Sequence, residues 1–112
     1  MKHVTYAEKT HLMGDDAADA LVEYARALAL ADTTETVTLR AIDLHGNEVE
    51  ATFLLSASTP ILVESTNSGL EVPGNEQIVE NMRHATAALL DPPAVQPEDR
   101  SGDPRPPFDE EL

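Results

Sequence analysis

The sequence has no cysteine and no tryptophan, and only two tyrosines and two phenylalanines among 112 residues. Without cysteine, disulfides, thiolate zinc sites, iron–sulfur clusters and thiol catalysis are excluded. Basic residues are scarce as well. Seven Lys and Arg stand against 21 Asp and Glu, a formal charge of −14. Lys2, Lys9, Arg26, Arg40, Arg83, Arg100 and Arg105 are scattered along the chain. Nucleic acid is usually met by clustered Lys and Arg, so no direct nucleic-acid partner is expected. No apolar run approaches the roughly 18 residues of a membrane span. Met1-Lys2-His3-Val4 opens into polar alternation without a signal-peptide core, so the expectation is a cytoplasmic protein with no membrane partner. No G-x-G-x-x-G, G-x-x-x-x-G-K-[ST] or G-x-S-x-G pattern occurs, which leaves no phosphate cradle or nucleophile elbow and no expected cofactor.

Apolar residues make up 41% of the chain, enough for a folded domain. A composition break falls at Asp91-Pro92-Pro93, and six of the eight prolines lie beyond Asp91. Residues 1–91 are therefore expected to form a single domain and 92–112 a disordered, acidic, Pro-rich tail. The domain is small enough for only marginal stability.

Within it, Ala17, Leu21, Tyr24, Leu28 and Ala31 recur at helical spacing, with Ala18, Val22, Ala25 and Ala29 as an adjoining stripe. Asp15 or Asp16 is placed to cap that helix. Residues 34–66 read as a strand meander. Val37, Leu39 and Ala41, then Val49, Ala51, Phe53 and Leu55, alternate with polar neighbours. Placing both odd-numbered sets on one face requires an odd-length loop. A loop of His45-Gly46-Asn47 would set 37 opposite 55, 39 opposite 53 and 41 opposite 51, with Gly46 or Asn47 at positive φ. Pro60 precedes a third strand, Ile61-Leu62-Val63-Glu64-Ser65. Asn75 is placed to cap a second helix with an apolar face of Ile78, Met82, Ala85 and Leu89. Val4-Thr5-Tyr6-Ala7 reads as a strand turning at Glu8-Lys9 to pair with Thr10–Leu12. The order β(β)-α-β-β-β-α implies an α+β fold, a two-layer sandwich with a mainly antiparallel sheet of four or five strands and two helices on one face.

The layout resembles small uncharacterised proteins of high-GC Gram-positive bacteria. The stretches that carry the likeness are Val4-Thr5-Tyr6, the helix from Asp15, and Leu54-Leu55-Ser56-Ala57-Ser58-Thr59-Pro60-Ile61, and in layout it covers roughly residues 3–90. Some such proteins are labelled relatives of ATP-dependent DNA ligases. That label needs a Lys-x-Asp-Gly nucleophile, and neither Lys2 nor Lys9 begins one. The resemblance implies the fold and carries over no site residue.

Candidate chemistry centres on four histidines. Glu80 and His84 share a helix face and could hold a metal, although an exposed i,i+4 pair is the commoner arrangement. His11 with Asp15 and Asp16 would form a ligand cluster only if the intervening loop folded back. His45, two residues after Asp43, reads as a turn residue. Helix capping accounts better for Gly14-Asp15-Asp16 than calcium does, since the alternating ligands of a calcium loop are missing. On the second sheet face the alternation places Thr38, Arg40, Ile42 and Leu44, then Glu48, Glu50, Thr52 and Leu54, then Leu62 and Glu64. Arg40, Ile42, Leu44, Glu48, Glu50, Leu54 and Leu62 are the candidate contact residues for a protein partner, or for a second copy in a homodimer. In the tail, Pro106-Pro107-Phe108-Asp109-Glu110-Glu111 sets one aromatic among acids, a peptide suited to a basic-rimmed pocket, so Phe108 joins that set. The preferred reading is a non-catalytic protein-interaction or regulatory module whose acidic surface suits a basic protein. The alternatives are a small metal-dependent enzyme and an acidic DNA mimic that inhibits a basic DNA-binding protein.

Overall fold

The structure, a computed structural model, describes residues 1–90. The expected tail and its Phe108 lie outside the described residues. The elements are β1 (Lys2–Tyr6), β2 (Lys9–Met13), α1 (Asp15–Leu30), β3 (Glu35–Ile42), β4 (Glu48–Leu55), β5 (Ile61–Ser65) and α2 (Glu76–Leu90). The five strands form one antiparallel sheet in the order β4-β3-β2-β1-β5. This is the α+β architecture and element order that the hydrophobic pattern implied.

Both odd-numbered sets of the β3–β4 hairpin share a face, through Val37↔Phe53, Leu39↔Ala51 and Ala41↔Val49. The register is displaced by two residues from that of a three-residue loop, because Asp43–Asn47 all stay out of the ladder. The Asp43 carboxylate accepts the N–H groups of His45 and Asn47, each at 2.9 Å, and its own N–H donates to the Asn47 carbonyl. That Asx-type turn is self-sufficient at five residues, and Gly46 supplies the positive φ, +84°. In the first hairpin, Tyr6↔Lys9 closes a two-residue turn at Ala7-Glu8, one position earlier than expected. Ala7 takes φ +58°, a left-handed conformation that is costly for alanine.

A simple meander would lay β5 beside β4. Instead β5 pairs with β1 at the other edge, with Val4↔Val63 and Tyr6↔Ile61. Only Ser56–Pro60 joins β4 to β5. Such a link reaches about 20 Å at full stretch, and a flat five-stranded sheet is nearly that wide at about 4.8 Å per strand. The sheet therefore coils, and on its concave side Tyr6 of β1 meets Phe53 of β4 edge-to-face, with ring centroids 5.5 Å apart. Bending falls at the β2–β3 seam, where Leu12↔Ile42 is the one paired position.

The concave side and the helices share one core, whose largest fully buried side chains are Val4, Met13, Leu21, Leu28, Leu39, Leu55 and Met82. Burying each contributes about 1.5–3 kcal/mol. On α1 the buried stripe is Ala17, Ala18, Ala20, Leu21, Ala27 and Leu28, while Ala29 and Ala31 are exposed. Ala20 and Ala27 were not on the expected stripes. A sheet packed on one flank and α2 on the other require two buried flanks. On α2, Val79 and Met82 are buried and Ile78, Ala85 and Leu89 half-buried, so the expected face is extended by Val79.

The helix ends depart from the simple capping expectation. Gly14 is the N-cap of α1, with no side-chain cap, and Asp15 and Asp16 sit within its first turn. There they complement the positive end of the helix dipole. A Schellman closure ends α1: Thr33 N–H donates to the Leu28 carbonyl and Asp32 N–H to that of Ala29, with Asp32 at φ +55°. At α2, the Asn75 carbonyl accepts Val79 N–H, but the Asn75 side chain is engaged elsewhere.

Candidate functional site

Beyond Leu12↔Ile42, β2 leaves the ladder to start α1, and the Arg40 peptide of β3 loses a strand partner. The Asn75 side chain takes its place. Its Oδ1 accepts Arg40 N–H at 2.8 Å and its Nδ2 donates to the Arg40 carbonyl at 2.8 Å. Asn75 is the only buried polar or charged residue among those described, and both ends of its amide are satisfied, as burial demands. This fixes where α2 begins, hard against the start of α1. A Cβ on Gly14 would lie 2.8 Å from Val72 Cγ1, so the segment before α2 packs directly on the α1 N-terminus.

A groove of about 530 Å³ results, bounded by the α1 N-terminus, residues 72–76 and one face of α2. Ala17, Val72, Pro73 and Val79 give it an apolar floor. Asp16, Glu76, Glu80, Arg83 and His84 stand around it. Two neighbouring carboxylates already have cations. Asp19 accepts from Lys2 Nζ at 2.8 Å, which raises the lysine pKa chiefly through that hydrogen bond, and Asp15 lies 3.3 Å from the Met1 amino group. Asp16 is 3.9 Å from Arg83, and Glu80 is 3.9 Å from His84, both loose and solvent-exposed pairs. Glu76 has no ion pair among the described residues. One guanidinium therefore faces three carboxylates around an apolar floor.

Of the other candidates, His3 and His11 line one pocket with Asp43, and the rest are dispersed. Glu80 and His84 do share a helix turn, but no group of three or more His, Asp or Glu residues that could hold a metal occurs among the described residues. His11 and Asp15 are not brought together. The ring of His11 stacks edge-on against Phe53 at 6.3 Å, and Asp15 points to Met1. His45 serves the hairpin turn, where two backbone N–H groups, that of Asn47 foremost, hold the Asp43 carboxyl below the ordinary carboxylate pKa.

The convex sheet face corrects one expectation. Ile42 points outward as its parity required, yet it is buried, with 7% of its surface exposed. Leu70 of the β5–α2 connection lines a shallow pocket there with His3, Leu12 and Ile42. Arg40 is spoken for by Glu48 at 2.8 Å and pairs across the ladder with Glu50. Thr38 and Thr52 bond to each other through their hydroxyls. Leu44, Leu54 and Leu62 are exposed, but Leu44 lies in the hairpin loop, and Leu54 and Leu62 sit on the two opposite edge strands. Removing Ile42 leaves no continuous aliphatic patch through these positions.

Fold and groove together define a class: a small antiparallel α+β domain with an acidic, apolar-floored cleft between its helices. Compared with known proteins, the chain matches no family model, no curated protein and no solved structure. No helix among the described residues is long and apolar enough to cross a membrane.

Proposed function

We propose that the protein is a non-catalytic binding module that receives a basic segment of a protein partner in the groove between α1 and α2. The observation that supports this reading most is the uneven charge around the groove, where Asp16, Glu76 and Glu80 face Arg83 and the imidazole of His84 over Ala17, Val72, Pro73 and Val79. A lysine or arginine side chain has the matching composition, an aliphatic stem for the floor and a cationic head for the rim. An acidic surface also speeds encounter with a basic partner. Inhibition of a basic DNA-binding protein is one version of the same chemistry.

The test uses an arginine-rich peptide as probe, titrated calorimetrically into the full chain. Binding is expected to weaken steeply between about 50 and 200 mM salt, since these charges are exposed and screened over about 10 Å at 0.1 M. Neutralising the rim together (Asp16→Asn, Glu76→Gln, Glu80→Gln) is expected to cost roughly tenfold, about 1.4 kcal/mol. Salt-insensitive binding, or binding unchanged by the triple substitution, would overturn the assignment.

A further inference from the structure

A second pocket, of about 540 Å³, lies on the concave side of the sheet near the β1–β2 turn, on different elements from the acidic groove. Its lining includes Tyr6, Ala7, Glu8, Lys9, His11 and Phe53. In a chain with four Tyr and Phe residues, two meet here, and His11 completes a trio of edge-on rings centred on the buried Phe53. Lys9 is exposed and makes no ion pair among the described residues, while Glu8 is the single carboxylate in the lining. The pocket is thus aromatic and balanced in charge, Lys9 against Glu8, on a domain that is otherwise strongly acidic.

The chain itself contains one segment that sets an aromatic ring beside carboxylates able to meet Lys9, Phe108-Asp109-Glu110-Glu111, which holds its only aromatic beyond Tyr6, Tyr24 and Phe53. We propose that this segment is the occupant of the pocket, with the Phe108 ring against Tyr6 and His11 and its neighbouring carboxylates at Lys9. A further ring adds edge-to-face contacts of the kind already present between Tyr6 and Phe53. Seventeen residues separate Leu90 from Phe108, and such a length extends to about 60 Å, ample to reach any point on a domain of this size. Tethering makes the contact intramolecular, at an effective concentration in the roughly millimolar range, so even a weak contact is populated. The net negative charge of the domain opposes an acidic segment at long range, which leaves Lys9 and the ring contacts as the groups that hold it. This inference is independent of the basic-partner reading, because the two pockets share no residue.

The experiment compares backbone amide NMR spectra of the full chain with those of its Phe108→Ala and Lys9→Gln variants. Phe108→Ala is expected to move the signals of Tyr6, Lys9, His11 and Phe53 while leaving Asp16, Glu76 and Glu80 in place. Lys9→Gln is expected to move those of Phe108–Glu111, and both changes should be independent of protein concentration. Added phenylacetate at about 1 mM should then perturb the pocket in Phe108→Ala and much less in the parent chain, while a peptide of residues 104–111 should restore the parent signals to the variant. Unchanged pocket signals in Phe108→Ala would overturn the proposal. Concentration-dependent shifts would overturn it in favour of contact between copies. Equal phenylacetate responses in parent and variant would overturn it in favour of a pocket for a free aromatic carboxylate.

Discussion

At the scale of single residues, the groove depends on Asn75 more than on any charged group. Its amide stands in for a missing strand, so Asn75→Ala leaves both the N–H and the carbonyl of Arg40 without their partner. The expected loss is about 2–3 kcal/mol by chemical denaturation, the desolvation cost of the orphaned peptide groups. Asn75→Asp should also destabilise, since it lacks the N–H donor that the Arg40 carbonyl requires. Gly14 fails for a different reason: its φ is an ordinary −62°, and the obstacle is Val72 alone. Gly14→Ala is expected to cost about 1–2 kcal/mol. Adding Val72→Ala should recover most of that, a non-additivity that a double-mutant cycle reads directly. Strain runs the other way at Ala7 and Asp32, both at positive φ. Ala7→Gly and Asp32→Gly should each stabilise by about 1 kcal/mol, a rise in Tm of roughly 4–8 °C for a domain of this size.

At the scale of elements, the β3–β4 loop carries a pH dependence of its own. The folded Asp43 carboxyl lies below its ordinary pKa because two backbone N–H groups bind its charged form. A depressed carboxylate pKa means that the stabilisation is complete above about pH 4, the unfolded value. It is lost as the pH falls through the folded pKa. Thermal denaturation between pH 5 and about pH 2.5 should therefore show a decline that is shallower in Asp43→Ala. An equal decline in both proteins would remove Asp43 as the cause. The elements also show how far the sequence is legible. Period-2 and helical spacing located β3, β4 and both helices, because burial of one face imposes those periods. Alternation specifies which way a side chain points and says nothing of what covers it. Ile42 was therefore assigned correctly to the convex face and wrongly to solvent, since Leu70 arrives from a distant loop. Loop length was equally hidden, because Asp43 stabilises five residues by a local turn that parity cannot distinguish from three. The partner of β5 depended on sheet coiling, a property of the whole.

At the scale of the molecule, the acidic groove combines residues from three separated stretches, at 14–17, 72–76 and 79–84. Only the four-residue spacing of Glu80 and His84 was visible along the chain, and there it suggested a metal. The convergence with Asp16 exists because Asn75 and Gly14 bring the starts of the two helices together. Charge alone identified an acidic protein, whereas the fold concentrates carboxylates in excess of cations over an apolar floor. The most direct measurement of that claim is residue-resolved: amide shifts of the full chain during titration with the arginine-rich peptide. The account predicts saturable changes confined to Asp16, Ala17, Val72, Glu76, Val79 and Glu80, abolished when Asp16, Glu76 and Glu80 are neutralised together. Changes spread evenly over Glu35, Glu48, Glu50 and Glu64 as well, or surviving that substitution, would contradict it.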